Sequence, residues 1–195
     1  MTEKTLERRA AMATLLADRP KNMFVVPGLG SCTWDAFAAG DDDRNFYLWG
    51  AMGGAAAIGL GLALAQPQRS VLVITGDGEQ LMGLGMLATI GAQQPANLTV
   101  VVLDNGHYGE TGMQRSHTSL GTRLAAVARD CGIAQSDEIR EPQAVAALAQ
   151  RVNARAGCSF AQVLVAAQDW PRALPARDGV HLKNRFRAAI GLLPF

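Results

Sequence analysis

Two short stretches set side-chain oxygens among glycines: "TGDGEQ" at residues 75–80 and "LDNGHYGETGMQ" at 103–114. In the first, Asp77 stands between Gly76 and Gly78, directly after an apolar run. A carboxylate there is costly unless a cation or several donors meet it. The two glycines allow a tight turn and close backbone approach, and a helix from about residue 79 would aim its amide dipoles outward. That is a phosphate seat. Asp77 has the wrong charge to touch phosphate, and a cation between the two resolves the conflict. Magnesium suits the role, because it takes oxygen in near-octahedral geometry and commonly bridges carboxylates to phosphates. The second stretch offers the side-chain carbonyl of Asn105 and the backbone around Gly106 and His107.

Each stretch alone has a plainer explanation. Asp77 would serve as a helix N-cap, and "DNG" as a simple turn. The separation of 28 positions from Asp77 to Asn105 decides otherwise, since it suffices for one helix and one parallel strand returning to the same edge. The pair therefore reads as a metal–diphosphate site. Other phosphate loops fail: Leu81 occupies the third glycine position of G-x-G-x-x-G, and no Gly-Lys-Ser/Thr occurs.

The elements that would position these loops are visible as apolar, β-rich runs at 23–26, 70–75, 98–103 and 160–166. Helical patterns lie near 52–65, 79–93, 119–130 and 142–156. Continuous rather than alternating hydrophobicity implies strands buried on both faces, hence a doubly wound α/β domain with a parallel sheet and helices on both faces. In such sheets ligands bind beyond the carboxyl ends of the strands, where both loops stand. A charged N-terminal helix is expected within 1–21 and a helix or tail within 178–195, whose basic face reads as solvated surface. All 195 residues are expected to form one domain.

Composition narrows the function classes. With 49% apolar and 18% charged residues and a net charge of +1, the chain shows no footprint for nucleic acid or an acidic membrane. Residues 48–65 are uncharged, but five are glycine, so a buried helix fits better than a membrane span. No secretory signal is visible, and Cys32, Cys131 and Cys158 are too scattered to bind zinc or a cluster. They read as buried free thiols in a reducing cytoplasm.

The G-D-G with an Asn at a later strand end resembles the thiamine diphosphate motif of the thiamine-dependent decarboxylase and synthase superfamily. "YLWGAMGGAAAIGLGLALA", "GDGEQLMGLGMLATIGAQQPANLTVVVLDNGHYGETGMQ" and "SHT" extend the match, which is similar to the sulfopyruvate decarboxylase β subunit and to the C-terminal half of phosphonopyruvate decarboxylase. The resemblance implies that Asp77, Asn105 and the backbone carbonyl of His107 hold Mg2+. It implies that the backbone near Gly76, Gly78, Glu79, Tyr108, Gly109 and Glu110 cradles the diphosphate. Gly50 would receive the aminopyrimidine amino group, and Met52, beside Ala51, would support the bent cofactor; without the resemblance, Met52 reads as core packing. The family usually has Asn-Asn where this chain has Asp104-Asn105, and many relatives carry a small polar residue at Glu79, whose acid is expected to point away from phosphate. His117, Arg115 and Arg123 are candidates to reach substrate.

In this family a glutamate on a separate pyrimidine-binding domain activates the cofactor. Only about 22 residues precede the first expected strand, so that group is expected from an α-type partner subunit, in an α2β2 or higher assembly. The implied activity is non-oxidative decarboxylation of a 2-oxo acid, of sulfopyruvate or phosphonopyruvate type, to an aldehyde. Two alternatives stay open: the thiamine-binding subunit of a 2-oxo acid:ferredoxin oxidoreductase, and a catalytically silent thiamine diphosphate-binding domain.

Overall fold

The computed structural model describes residues 6–193. In chain order its strands are β1 (Met23–Pro27), β2 (Ser70–Gly76), β3 (Leu98–Asp104), β4 (His107–Tyr108), β5 (Gln114–Arg115), β6 (Gln135–Ile139) and β7 (Ser159–Leu164). Five of them make a wholly parallel sheet in the order β1-β2-β3-β7-β6, while β4 and β5 pair as a small antiparallel ribbon. Alternate residues of each central strand enter opposite cores. Val71, Val73, Val100, Val102 and Phe160 face one way; Leu72, Ile74, Val101, Leu103 and Val163 face the other. Burial on both faces is why these runs are apolar throughout.

On one face lie α1 (Arg8–Leu16), α2 (Ser31–Ala38) and α7 (Pro142–Asn153), contributing Met12, Leu15, Cys32, Leu148 and Val152. On the other lie α3 (Ala55–Ala65), α5 (Met86–Gln93) and α6 (Leu124–Asp130). The short α4 (Asp77–Met82) starts directly from β2, and α8 (Gly179–Ala189) packs Phe186 against Phe24 and Phe46. Beside β1, the chain at 44–46 adds further hydrogen bonds, Val25 N–H to Arg44 O at 3.0 Å and Phe46 N–H to Val25 O at 2.8 Å. In α3, a methyl group at Gly59 would lie 2.1 Å from Val73 Cγ2, so this helix rests directly on β2. Eleven residues of α3 cannot cross a bilayer, and no described helix is long and apolar enough to do so.

Several expectations need correction. The helix expected over 79–93 is two helices, broken at Gly83–Gly85, because Gly83 meets the turn before α3: a methyl group there would lie 2.3 Å from Gly53 O. The helix expected over 119–130 begins as a separate 3-10 turn, His117–Leu120, before α6. Strand β6 and helix α2 were not expected at all. The basic face of α8 is not simply solvated, since Arg185 binds Asp41 Oδ2 at 2.7 Å. Of the thiols, Cys32 is buried, whereas Cys131 and Cys158 are only partly so, ending α6 and leading into β7. The extreme ends of the terminal segments, 1–5 and 194–195, lie outside the described residues.

Candidate functional site

The register of β2 on β3, Gly76 opposite Leu103, sets the two loops side by side at the carboxyl edge. Asp77 is the first residue of α4 and is 2% exposed; Asp104 ends β3 and is equally enclosed. Burial pushes the Asp77 carboxyl up to about 6, and the neighbouring Asp104 charge adds to the rise. The Ser116 hydroxyl and the amides of Asp77 and Asn105 oppose it. Among the described residues neither acid has an ion-pair partner, so two buried carboxylates share one corner without a cation from the chain.

Asp104 takes its donors from three segments. Gly106 N–H donates to it at 2.9 Å, Thr118 Oγ1 at 2.8 Å and Gln162 Nε2, from β7, at 2.6 Å, with β3 supplying the acid itself. Thr118 Oγ1 also lies 3.3 Å from Asp77 Oδ2. Asn105 turns its side-chain oxygen to His107 N–H at 2.9 Å, and the His107 ring Nδ1–H donates to the Asn105 carbonyl at 2.8 Å. This local turn, with Gly106 at φ +71, aims the loop back over α4. There the Tyr108 ring covers Gly78 so closely that a methyl group at 78 would lie 2.4 Å from Cε1. Gly76 has open space where a side chain would be.

The remaining sequence-predicted residues spread around this corner. Gly50, Ala51 and Met52 form an exposed turn before α3, with Ala51 in the left-handed region at φ +55. Gly109 and Glu110 open a 3-10 turn after Tyr108. Burial raises the Glu110 carboxyl, with Arg172 opposing at 3.7 Å. His117 is exposed. Arg115 is held by Ser119 within its own turn, and Arg123 reaches Glu138 on β6 at 3.4 Å. Glu79 sends its carboxylate to the loop after β1, where Leu29 N–H donates to Oε2 at 3.0 Å.

Sequence reasoning missed that loop. Gly28–Gly30 joins β1 to α2, and Glu110 lies against Gly30, whose methyl would fall 3.0 Å from Cγ. The segment 166–178 was missed too; it crosses nearby, laying Arg172 over the Trp34 ring at 4.6 Å and the Ala176 carbonyl on Trp49 Nε1 at 2.8 Å. The only signal for the first was "PGLGS" following an apolar run, and for the second there was none.

This donor set suits a hard divalent cation next to phosphate. Among the described residues two buried acids lack a positive partner, an amide oxygen stands beside them, and Gly76 leaves the backbone open. Among the described residues no three His, Cys, Asp or Glu side chains gather to hold a metal ion, so an ion here would also need the amide and backbone oxygens.

Comparison with known proteins follows this geometry. Residues 29–177 match the family described as "Thiamine pyrophosphate enzyme, C-terminal TPP binding domain". The chain is 48% identical over 125 residues to phosphonopyruvate decarboxylase of Streptomyces viridochromogenes, covering 64% of this chain and 31% of that protein. It is 33% identical over 190 residues to sulfopyruvate decarboxylase subunit beta of Methanococcus maripaludis, covering 93% and 97%. Thus it spans about a third of the first relative and nearly all of the second. The structure of benzoylformate decarboxylase from Polynucleobacter necessarius shares the fold, with TM-score 0.69 at 19% identity over 85% of this chain and 34% of that one. By fold, loop geometry and sequence the chain belongs to the thiamine pyrophosphate enzyme family, as a domain of its C-terminal TPP-binding type.

Proposed function

We propose that the chain is the diphosphate- and metal-binding subunit of a thiamine diphosphate-dependent 2-oxo acid decarboxylase, releasing an aldehyde without oxidation. The observation that carries this reading is the pair Asp77 and Asp104, without an ion-pair partner among the described residues, at adjacent parallel strand ends, beside Asn105 and next to the open Gly76. Mg2+ would be held by the Asp77 carboxylate, the Asn105 side-chain oxygen and the His107 carbonyl. Amides of Gly78, Glu79 and Glu110 would receive the diphosphate, and Gly50 and Met52 the pyrimidine end. When bound, thiamine diphosphate supplies the electron sink for loss of carbon dioxide. The chain's own task is to grip the tail, exclude water and hold the ring end in position.

The activating glutamate belongs on this reading to a second, pyrimidine-binding subunit. A similar protein named "subunit beta" that matches over 97% of its length supports a two-chain enzyme. The substrate is a 2-oxo acid with a sulfonate or phosphonate at C3, the chemistry carried by the names of the relatives. The test is co-expression with a candidate partner subunit, followed by aldehyde-release assays on sulfopyruvate, phosphonopyruvate and pyruvate with thiamine diphosphate and Mg2+. Aldehyde from one of the first two, and only from the complex, is expected. Full turnover by the isolated chain would remove the two-subunit reading, and no aldehyde from any substrate would remove the decarboxylase.

A further inference from the structure

Glu79 stands two residues after Asp77, yet its side chain serves a different part of the molecule. It is buried, 4% exposed, and its Oε2 accepts from the Thr75 hydroxyl at 2.8 Å and from Leu29 N–H at 3.0 Å. Gly28 passes so close that a methyl group there would lie 2.0 Å from the same oxygen. The Glu79 Oε1 completes no hydrogen bond. One carboxylate thus ties the loop after β1 to the end of β2.

Those segments surround the candidate cofactor corner. The 28–30 loop meets Glu110, and Thr75 leads into Gly76 and Asp77. Gly28 N–H already donates to the Ile74 carbonyl at 2.8 Å, and the carboxylate adds side-chain ties beside it. A buried acid with an incomplete set of donors is costly, and here it is retained where the loop after β1 turns away from β2. A carboxylate accepts from several amides at once, which an apolar side chain of equal size cannot do.

We propose that Glu79 is a positioning residue: a latch whose carboxylate fixes the 27–30 loop against the end of β2, so that the cofactor enters a preformed cleft. The proposal rests on the thiamine diphosphate reading above. Its atoms touch other loops rather than phosphate, which separates its role from that of the neighbouring backbone amide.

The experiment uses the full chain in two arms. The first follows amide hydrogen exchange at 27–30 without cofactor; the second titrates thiamine diphosphate with Mg2+ calorimetrically. Glu79→Ala should speed exchange at this segment by about tenfold or more and weaken cofactor affinity about tenfold. Glu79→Gln keeps an oxygen toward Leu29 and Thr75 and should stay within about threefold of wild type in affinity. Gly28→Ala, whose methyl meets the carboxylate, should reproduce the Glu79→Ala losses. The double variant should be no worse than Glu79→Ala alone, the non-additivity expected of two groups in contact. Should Glu79→Ala fail to fold, the Gln and Gly28→Ala variants carry the comparison. Unchanged affinity in Glu79→Ala overturns the latch. Lost affinity with unchanged exchange also overturns it, because Glu79 would then act by direct contact. If the wild-type chain shows no magnesium-dependent binding, the thiamine reading falls, and the exchange arm alone decides the latch.

Discussion

Two carboxylates that share buried space are relieved by a cation or by one of them holding a proton. Asp77 and Asp104 are in that position, and their surroundings divide the labour between them. Asp104 is satisfied by Gly106, Thr118 and Gln162, whereas Asp77 has only a long contact to Thr118 and the donors that oppose its rise. Asp77→Ala is therefore expected to abolish magnesium-dependent binding of thiamine diphosphate, read by titration with and without the metal; retained affinity would return Asp77 to the role of a helix cap. Asp104→Asn removes a charge without removing a ligand, and should lower the metal-dependent affinity by about 10–100-fold, the usual scale for partners behind a ligand. At this scale the sequence was informative where residue type alone restricts chemistry, as at Gly76, Asp77, Gly78 and Asn105. For Glu79 the expectation was an acid pointing away from phosphate, but not what it meets, because its partner Leu29 lies 50 residues away and contributes only a backbone amide. The Asp104 hub was invisible for a similar reason, since Gln162 reads as an ordinary strand residue.

The elements succeed or fail by how strongly burial marks them. Four strands were legible because both faces are apolar, while β6, with Gln135, Asp137 and Glu138 half-buried at the sheet edge, carries no such signature. Helix α2 is short and capped by no side chain, which removes the usual start signal. Close packing of glycines on neighbours was equally hidden. Gly91 of α5 sits against the turn after α6, where a methyl group would lie 1.8 Å from the Cys131 carbonyl oxygen. Gly91→Ala is expected to cost about 1–3 kcal/mol, seen as a fall of several degrees in the thermal midpoint; an unchanged midpoint would show that α5 can move aside. The edge at β1 makes a separate prediction about pH. Burial alone would raise Asp41 and Asp42, but Arg185 and Tyr47 on the first and Arg44 and Arg19 on the second hold both below the usual carboxylate range. Their contribution is present above about pH 4 and is lost as pH falls through the lowered folded values. Arg185→Ala should thus lower the midpoint at pH 7, by about 2–4 °C for a 1 kcal/mol loss, and the difference from wild type should shrink in acid. A gap that widened below pH 4 would contradict this.

For the molecule as a whole, the rim of the candidate cleft presents large apolar side chains to solvent. Met52 is 39% exposed and Met82 is 62%, and the Gly53 backbone brings their turns together. On the two-subunit reading these methionines meet the partner chain, since adaptable thioethers suit such surfaces. Met82→Glu should weaken assembly with the partner in size-exclusion or titration experiments while leaving the melting of the isolated chain unchanged. If assembly persists, the partner docks elsewhere. Strand order has a consequence for synthesis. Because β7 inserts between β3 and β6, residues 159–164 complete the centre of the sheet although they come late in the chain. Gln162 brings with it a hydrogen bond that fixes Asp104. A nascent chain leaving the ribosome will already have released both candidate binding loops, yet the strand that fixes Asp104 is complete only after some fifty further residues have followed. Premature termination before residue 159 would leave β3 with an open edge, a template for pairing with another chain. The last-made strand thereby acts as a checkpoint on whether the first-made loops become a site.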